Sequence, residues 1–220
     1  MKTWVSCVAA AALVLLGAAG ASAGAIVVST GLDGSGNLQS AGNSVDANWT
    51  YVDANFSPTS GNTYVVASNN TDWFGGWLAN GPNSDWISPD PDVSGYGTYP
   101  YSFSTTFGLS DYDLSTVSLS GAWAIDDQGS LFLNGNLISS IGDGNWGSLT
   151  AFSVPVNSPD FNQGLNTLTI TMTWTDDYLE GVRLEGSVTG DVQSTPEPGS
   201  WALAGLGALA IGAIGRRRRA

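Results

Sequence analysis

An all-β sandwich or jelly roll is the fold class that this sequence of 220 residues predicts. Three observations carry it. Apolar residues recur with period two at several places, no useful stretch between Gly24 and about Gly190 keeps a helical period, and Asn134-Gly135 separates two short apolar runs, as a tight hairpin requires. In chain order, Tyr101, Phe103, Thr105, Phe107 and Leu109 alternate with Ser102, Ser104, Thr106 and Gly108, and Val117, Leu119, Gly121, Trp123 and Ile125 alternate with Ser and Ala. Each set reads as a strand with one buried and one wet face. Leu131 to Leu133 enters the Asn134-Gly135 turn, where both central residues need positive φ, and Leu137-Ile138 leaves it. Leu168, Ile170, Met172 and Trp174 interleave with Thr167, Thr169, Thr171, Thr173 and Thr175 in the clearest strand, and Val182 and Leu184 repeat the pattern with Arg183 and Glu185 pointing outward. A single domain of about 170 residues is ample for one core. The polar run 189–195 reads as a tether beyond it.

Composition excludes whole classes of chemistry. There is no His, so no His-based catalytic triad and no His-ligated zinc can be built. The six cations are Lys2, Arg183 and the block Arg216, Arg217, Arg218 and Arg219. Residues 24–195 therefore hold one cation against eighteen acids, a formal charge of −17, and such a surface repels phosphate backbones, which excludes nucleic acid as a partner. A pair of carboxylates is the one enzymatic constellation left, but eighteen acids produce such pairs by chance. With neither His nor Lys in that span to activate a nucleophile, the expectation is a protein without catalytic activity.

Both ends read as targeting segments. Lys2, the apolar run from Val8 to Ala19 and the small triplet Ala21-Ser22-Ala23 have the layout of a secretory signal peptide spanning 1–23, cut after Ala23 by signal peptidase. The only cysteine, Cys7, leaves with it, so the exported chain crosses into an oxidising space without disulfides and depends on its core. At the other end, Pro196-Glu197-Pro198 precedes an uncharged apolar helix over 201–215 and the arginine block 216–219. Fifteen residues reach about 22 Å as a helix against a bilayer core of about 30 Å, a short span. The arginines hold its far side in the cytoplasm. This order of parts resembles the PEP-CTERM sorting signal of exopolysaccharide-producing bacteria, covering 196–220. The resemblance implies transient insertion in the inner membrane, recognition of Pro196, Glu197 and Pro198 by an exosortase, removal of the helix and basic tail, and delivery to the cell surface or medium.

A second resemblance covers Trp49 to about Ser187. Trp49-Thr50-Tyr51-Val52, Asp85-Trp86-Ile87, the run Tyr101 to Phe107, Gly121-Ala122-Trp123-Ala124-Ile125-Asp126-Asp127, Leu133-Asn134-Gly135 and Gly164-Leu165-Asn166-Thr167-Leu168 occur in that order. The set looks like a galactose-binding-like jelly roll, a fold class that carbohydrate-binding modules share and that fixes no ligand by itself.

A sugar site needs flat aromatic faces beside amides and carboxylates, and the turn-rich segment 72–92 supplies Trp73, Trp77, Asn80, Asp85 and Trp86. These are the candidate residues for a polysaccharide or cell-surface glycan. The same tryptophans also suit a core, as do Trp123, Trp146 and Trp174. Calcium is the other candidate ligand, with Asp126 and Asp127 after one strand and Asp176, Asp177 and Glu180 after another. No cofactor is required, and the alternative reading of these acids is turn chemistry. The functional expectation is an exported surface or matrix protein with a carbohydrate-binding sandwich. A structural or adhesive matrix protein without a specific glycan site, and less readily a glycosidase, stand as its alternatives.

Overall fold

The computed structural model describes residues 24–39, 44–53, 60–66, 76–90, 101–174 and 180–193, with the side chains of Asp53 and Trp174 left aside. The expected signal peptide 1–23, Trp73, Asp176, Asp177 and the whole sorting segment, including Pro196, Glu197, Pro198 and Arg216 to Arg219, lie outside these residues. Among the described residues no helix is long and apolar enough to cross a membrane.

The described elements are all strands: β1 (Ile26–Val27), β2 (Val45–Asp53), β3 (Ser60–Val65), β4 (Ile87–Ser88), β5 (Tyr101–Gly108), β6 (Ser118–Asp126), β7 (Gln128–Leu133), β8 (Asn136–Ile141), β9 (Thr150–Val154), β10 (Leu165–Trp174) and β11 (Gly181–Thr189). They pair in the order β8-β7-β10-β5-β2-β3-β4-β11-β6-β9, with β1 added to β11. Among the described residues only the short β3–β4 pairing, Tyr64 opposite Ser88 and Val65 opposite Ile87, joins the first six strands to the rest. From β5 onward the chain crosses between these two runs at every step but the β7–β8 hairpin, which is the winding of a jelly roll. Both runs face one core. Trp49, Phe103, Leu131 and Ile170 from the first pack in the same cluster as Leu119, Trp123, Phe152 and Leu184 from the second.

The expected alternation positions these strands. Leu168, Ile170 and Met172 are buried while Thr167, Thr169 and Thr171 are half-exposed. Asn134 and Gly135 turn with φ of 52° and 85°, the left-handed pair that a type I′ turn demands. Asn134 is also fastened from its side chain, donating to Asp160 O at 2.7 Å and Asn166 Oδ1 at 2.8 Å.

The outward side of the first run has a distinctive composition. Pairing register aligns Ser60, Val52, Ser102, Thr171, Ser130 and Ser140 in one row across six strands, and Asn62, Thr50, Ser104, Thr169, Phe132 and Leu137 in the next. Six strands at about 4.8 Å make each row about 24 Å long, with the rows about 7 Å apart. Neither row holds a charged side chain, although the domain is strongly acidic.

Two expectations change. Arg183 does not point to solvent: it is 3% exposed. The alternation places it opposite the core-facing Val182 and Leu184, but residues 76–86 fold over that outer side and bury it. The run 189–195, expected as a tether, also belongs to the domain as far as it is described. Thr189 ends β11, Val192 bridges to Tyr112, and Gln193 N donates to Asp111 O at 2.7 Å, so the domain continues to Gln193.

Candidate functional site

The segment 76–86 is a cover held from within. Trp77 and Trp86 stack with ring centroids 4.3 Å apart and join Val66 and Ala124 in a second apolar cluster outside the sandwich, with Trp146 and Leu149 packed against it. The two stacked indoles and the Asn80 amide each have a structural use. Trp77 Nε1 donates to Asp126 Oδ2 at 2.6 Å, and Trp86 Nε1 donates to Leu78 O at 2.7 Å. Asn80 accepts from Trp86 N through Oδ1 at 2.9 Å and donates through Nδ2 to Val66 O at 2.9 Å. Gly181 admits the cover, because a Cβ there would lie 2.6 Å from Trp77 Cη2.

The structure thus brings together Trp77, Asn80, Asp85, Trp86 and Asp126, residues that the sequence offered to two different ligands. Trp86 is fully buried and Trp77 is 7% exposed. As placed, they present no flat aromatic face to solvent. The described calcium candidates Asp126, Asp127 and Glu180 are likewise buried. Among the described residues no group of three or more acidic, His or Cys side chains is placed to hold a metal ion.

Arg183 pins the cover to β11. Its Nε donates to Ser84 Oγ at 2.9 Å and its Nη1 to Ala79 O, and a Cβ at Gly81 would run into Nη2. Asp85, 5% exposed, is fixed through its backbone: its N donates to Thr30 O at 3.0 Å, and its carbonyl accepts from Thr30 Oγ1 at 2.6 Å. Burial pushes the Asp85 carboxyl up to about 6, against the opposing pull of Arg183. Burial also lowers the Arg183 guanidinium, with Glu185 and Asp85 acting in the other direction. Asp46 is raised by burial too, although the N–H groups of Asn48, Gly31 and Trp49 stabilise its charged form.

These raised carboxyls set the sign of a pH effect. For Asp85, between the unfolded value of 3.8 and about 6, the folded chain holds a proton that the unfolded chain has released. That contribution to stability is complete below the unfolded value and is lost as pH rises through the folded one. A shift of two units corresponds to about 3 kcal/mol. Asp33 and Asp113, lowered by hydrogen bonds, act in the opposite sense but at lower pH, where they become protonated. Urea unfolding should show the wild-type chain less stable at pH 7.5 than at pH 4.5, with a smaller drop for Asp85→Asn. An equal drop in both would show that Asp85 is not the source.

Beside the cover lies a groove of about 600 Å³. Its floor is the outward side of β11 at Glu185 and Ser187, and its walls are the 32–38 loop and the Pro82-Asn83 corner of the cover. The loop is built on Asp33, whose Oδ1 accepts from Ser35 N at 2.8 Å and Asn37 N at 2.9 Å, while Leu32 and Leu38 bridge its base. Sequence reasoning missed this groove, because its parts are some 150 residues apart in the chain and meet only when β1 pairs with β11. It missed the role of Arg183 as well, although a lone cation among eighteen acids was a visible signal.

Comparison with known proteins adds one firm result. No curated protein matches the chain. Among solved structures, a family 35 carbohydrate-binding module from Clostridium thermocellum matches at 13% identity over 50% of this chain and 82% of its own, with a TM-score of 0.30. A Stig cyclase from Fischerella sp. TAU covers 77% of this chain and 100% of its own at 14% identity and a TM-score of 0.38. A family 36 carbohydrate-binding module in complex with calcium and xylotriose covers 64% and 87% at 13% identity and a TM-score of 0.26. Overlaps this loose transfer neither glycan nor calcium to the chain. Residues 194–219, in contrast, match the PEP-CTERM protein-sorting motif, and the chain carries that sorting signal at its C-terminus.

Proposed function

We propose that the chain is exported, cut at its C-terminal signal by an exosortase, and left at the cell surface or in a polysaccharide matrix, where its sandwich binds a glycan without catalysis. The observation that carries this reading is the sorting motif over 194–219. The composition of the domain agrees with it: no His or Lys stands between 24 and 195 to act as a catalytic base, and one buried Arg is the only cation.

Processing is tested by expressing the full chain in a host that has an exosortase and weighing the exported product. The expected mass begins at Gly24 and lacks Arg216 to Arg219. An exported chain that keeps the arginine block would sink the processing claim. Binding is tested with the same product and exopolysaccharide from its host, where saturable uptake is expected.

A second reading rests on the uncharged rows of the first run. An uncharged face, mostly Ser and Thr with Asn62, Val52, Phe132 and Leu137 among them, suits a structural or adhesive matrix protein that works through broad contact, and it predicts non-saturating association that rises with polymer concentration.

A further inference from the structure

We propose that the groove between the 32–38 loop and the Pro82-Asn83 corner binds an uncharged saccharide unit of a longer glycan. The inference rests on the glycan-binding reading and gives it a site that contains no tryptophan. A volume of about 600 Å³ falls within the range of about 300–1,000 Å³ in which small ligands are held. The lining supplies what a sugar ring presents. Asn37, Asn83 and Ser187 offer amide and hydroxyl donors and acceptors, Glu185 offers a carboxylate, and Val27, Leu38 and Pro82 offer apolar surface to ring C–H groups. Val27 is 56% exposed, a bare apolar side chain at the rim.

Charge selects among sugars. Among the described residues Glu185 is the only charged side chain lining the groove, and the Arg183 guanidinium that interacts with it is buried beneath the cover. A uronate would meet the Glu185 carboxylate with no cationic side chain in the described lining, on a domain whose side chains carry a formal charge of −17, and like charges brought together without a counterion repel. A neutral ring meets no such barrier. Both walls are already fixed, one by the Asp33 hydrogen bonds and the other by Arg183, so binding need not order them, and preorganised walls favour affinity.

The test uses the exported, processed chain in calorimetric titrations with neutral gluco-, galacto- and xylo-oligosaccharides, a galacturonate oligomer and host exopolysaccharide. At least one neutral oligosaccharide should bind saturably and at least tenfold more tightly than galacturonate. Asn37→Ala and Asn83→Ala, at exposed positions, should each weaken it about threefold to tenfold, the effect of one lost hydrogen bond. Ser187→Tyr, which fills the floor, should abolish it, with urea unfolding checking that each variant is folded. Neutral binding that survives all three substitutions overturns the groove and leaves the glycan reading intact. Galacturonate binding as tightly as the neutral sugars overturns the selection for uncharged units. Failure of every oligosaccharide and of the host polysaccharide overturns the groove and the glycan reading together.

Discussion

Arg183→Met is expected to destabilise the folded domain by about 3–5 kcal/mol at pH 7.5, the cost of removing one partner from a buried charged set. The substitution keeps most of the aliphatic stem and removes the guanidinium, so the loss falls on three groups. Ser84 Oγ and Ala79 O lose their donor, and the buried Asp85 carboxylate loses the cation that offsets its burial. Because Asp85 can take up a proton, the loss should shrink at pH 4.5. Arg183→Lys keeps a charge but has no planar fork to reach Ser84 and Ala79 together, and should fall between wild type and Met. Urea unfolding of the three chains at both pH values measures this. A cost below about 1 kcal/mol for Met at pH 7.5 would mean that Arg183 behaves like a surface ion pair.

Trp86→Ala is the second large effect, expected at about 3–5 kcal/mol for a large aromatic removed from a packed site. Trp86 is fully buried, stacks on Trp77 and donates to Leu78 O, so truncation empties the second cluster and leaves a carbonyl without its donor. Trp86→Phe keeps most of the packing and should cost only the hydrogen bond and part of the volume. The cover carries its own reporter. Arg183 is the only Lys or Arg between residues 24 and 195, and it lies under the cover in mid-strand, so trypsin should not cut the native domain there. Cleavage after Arg183 should speed up in Trp86→Ala under conditions where the chain remains mostly folded. Unchanged cleavage together with unchanged stability would show that the second cluster does not hold the cover down.

How much of this was legible in the sequence follows from what alternation can encode. Leu168, Ile170 and Met172 against their threonines, and Phe103 and Phe107 against Ser104 and Thr106, fixed which side of β10 and β5 is buried, and Asn134-Gly135 fixed a hairpin through its need for positive φ. Period two separates the faces of a strand but does not say what lies over the outer one. The burial of Arg183 escaped for that reason: its outward position was correct, and the segment that covers it comes from 100 residues earlier. Trp77 and Trp86 were visible as an unusual aromatic concentration, but composition does not decide whether a loop turns its rings outward or into a cluster with Val66 and Ala124. The groove was the least legible feature, since it belongs to no segment.

The position of β11 in the sheet bears on when the domain can fold. It is the last of the described strands, yet β1, β4 and β6 all pair with it, and the cover is pinned to it through Arg183. A chain exported amino end first delivers these partners long before residues 181–189, and until then they present unsatisfied edges. Contacts that join the two ends of a chain form slowly. The sorting motif begins at residue 194, five residues beyond the end of β11, so on the proposed export route the strand that closes the sheet and the sorting segment cross almost together. On the proposed export route, completion of the fold would fall at the end of translocation, close to the moment at which the sorting signal is cut.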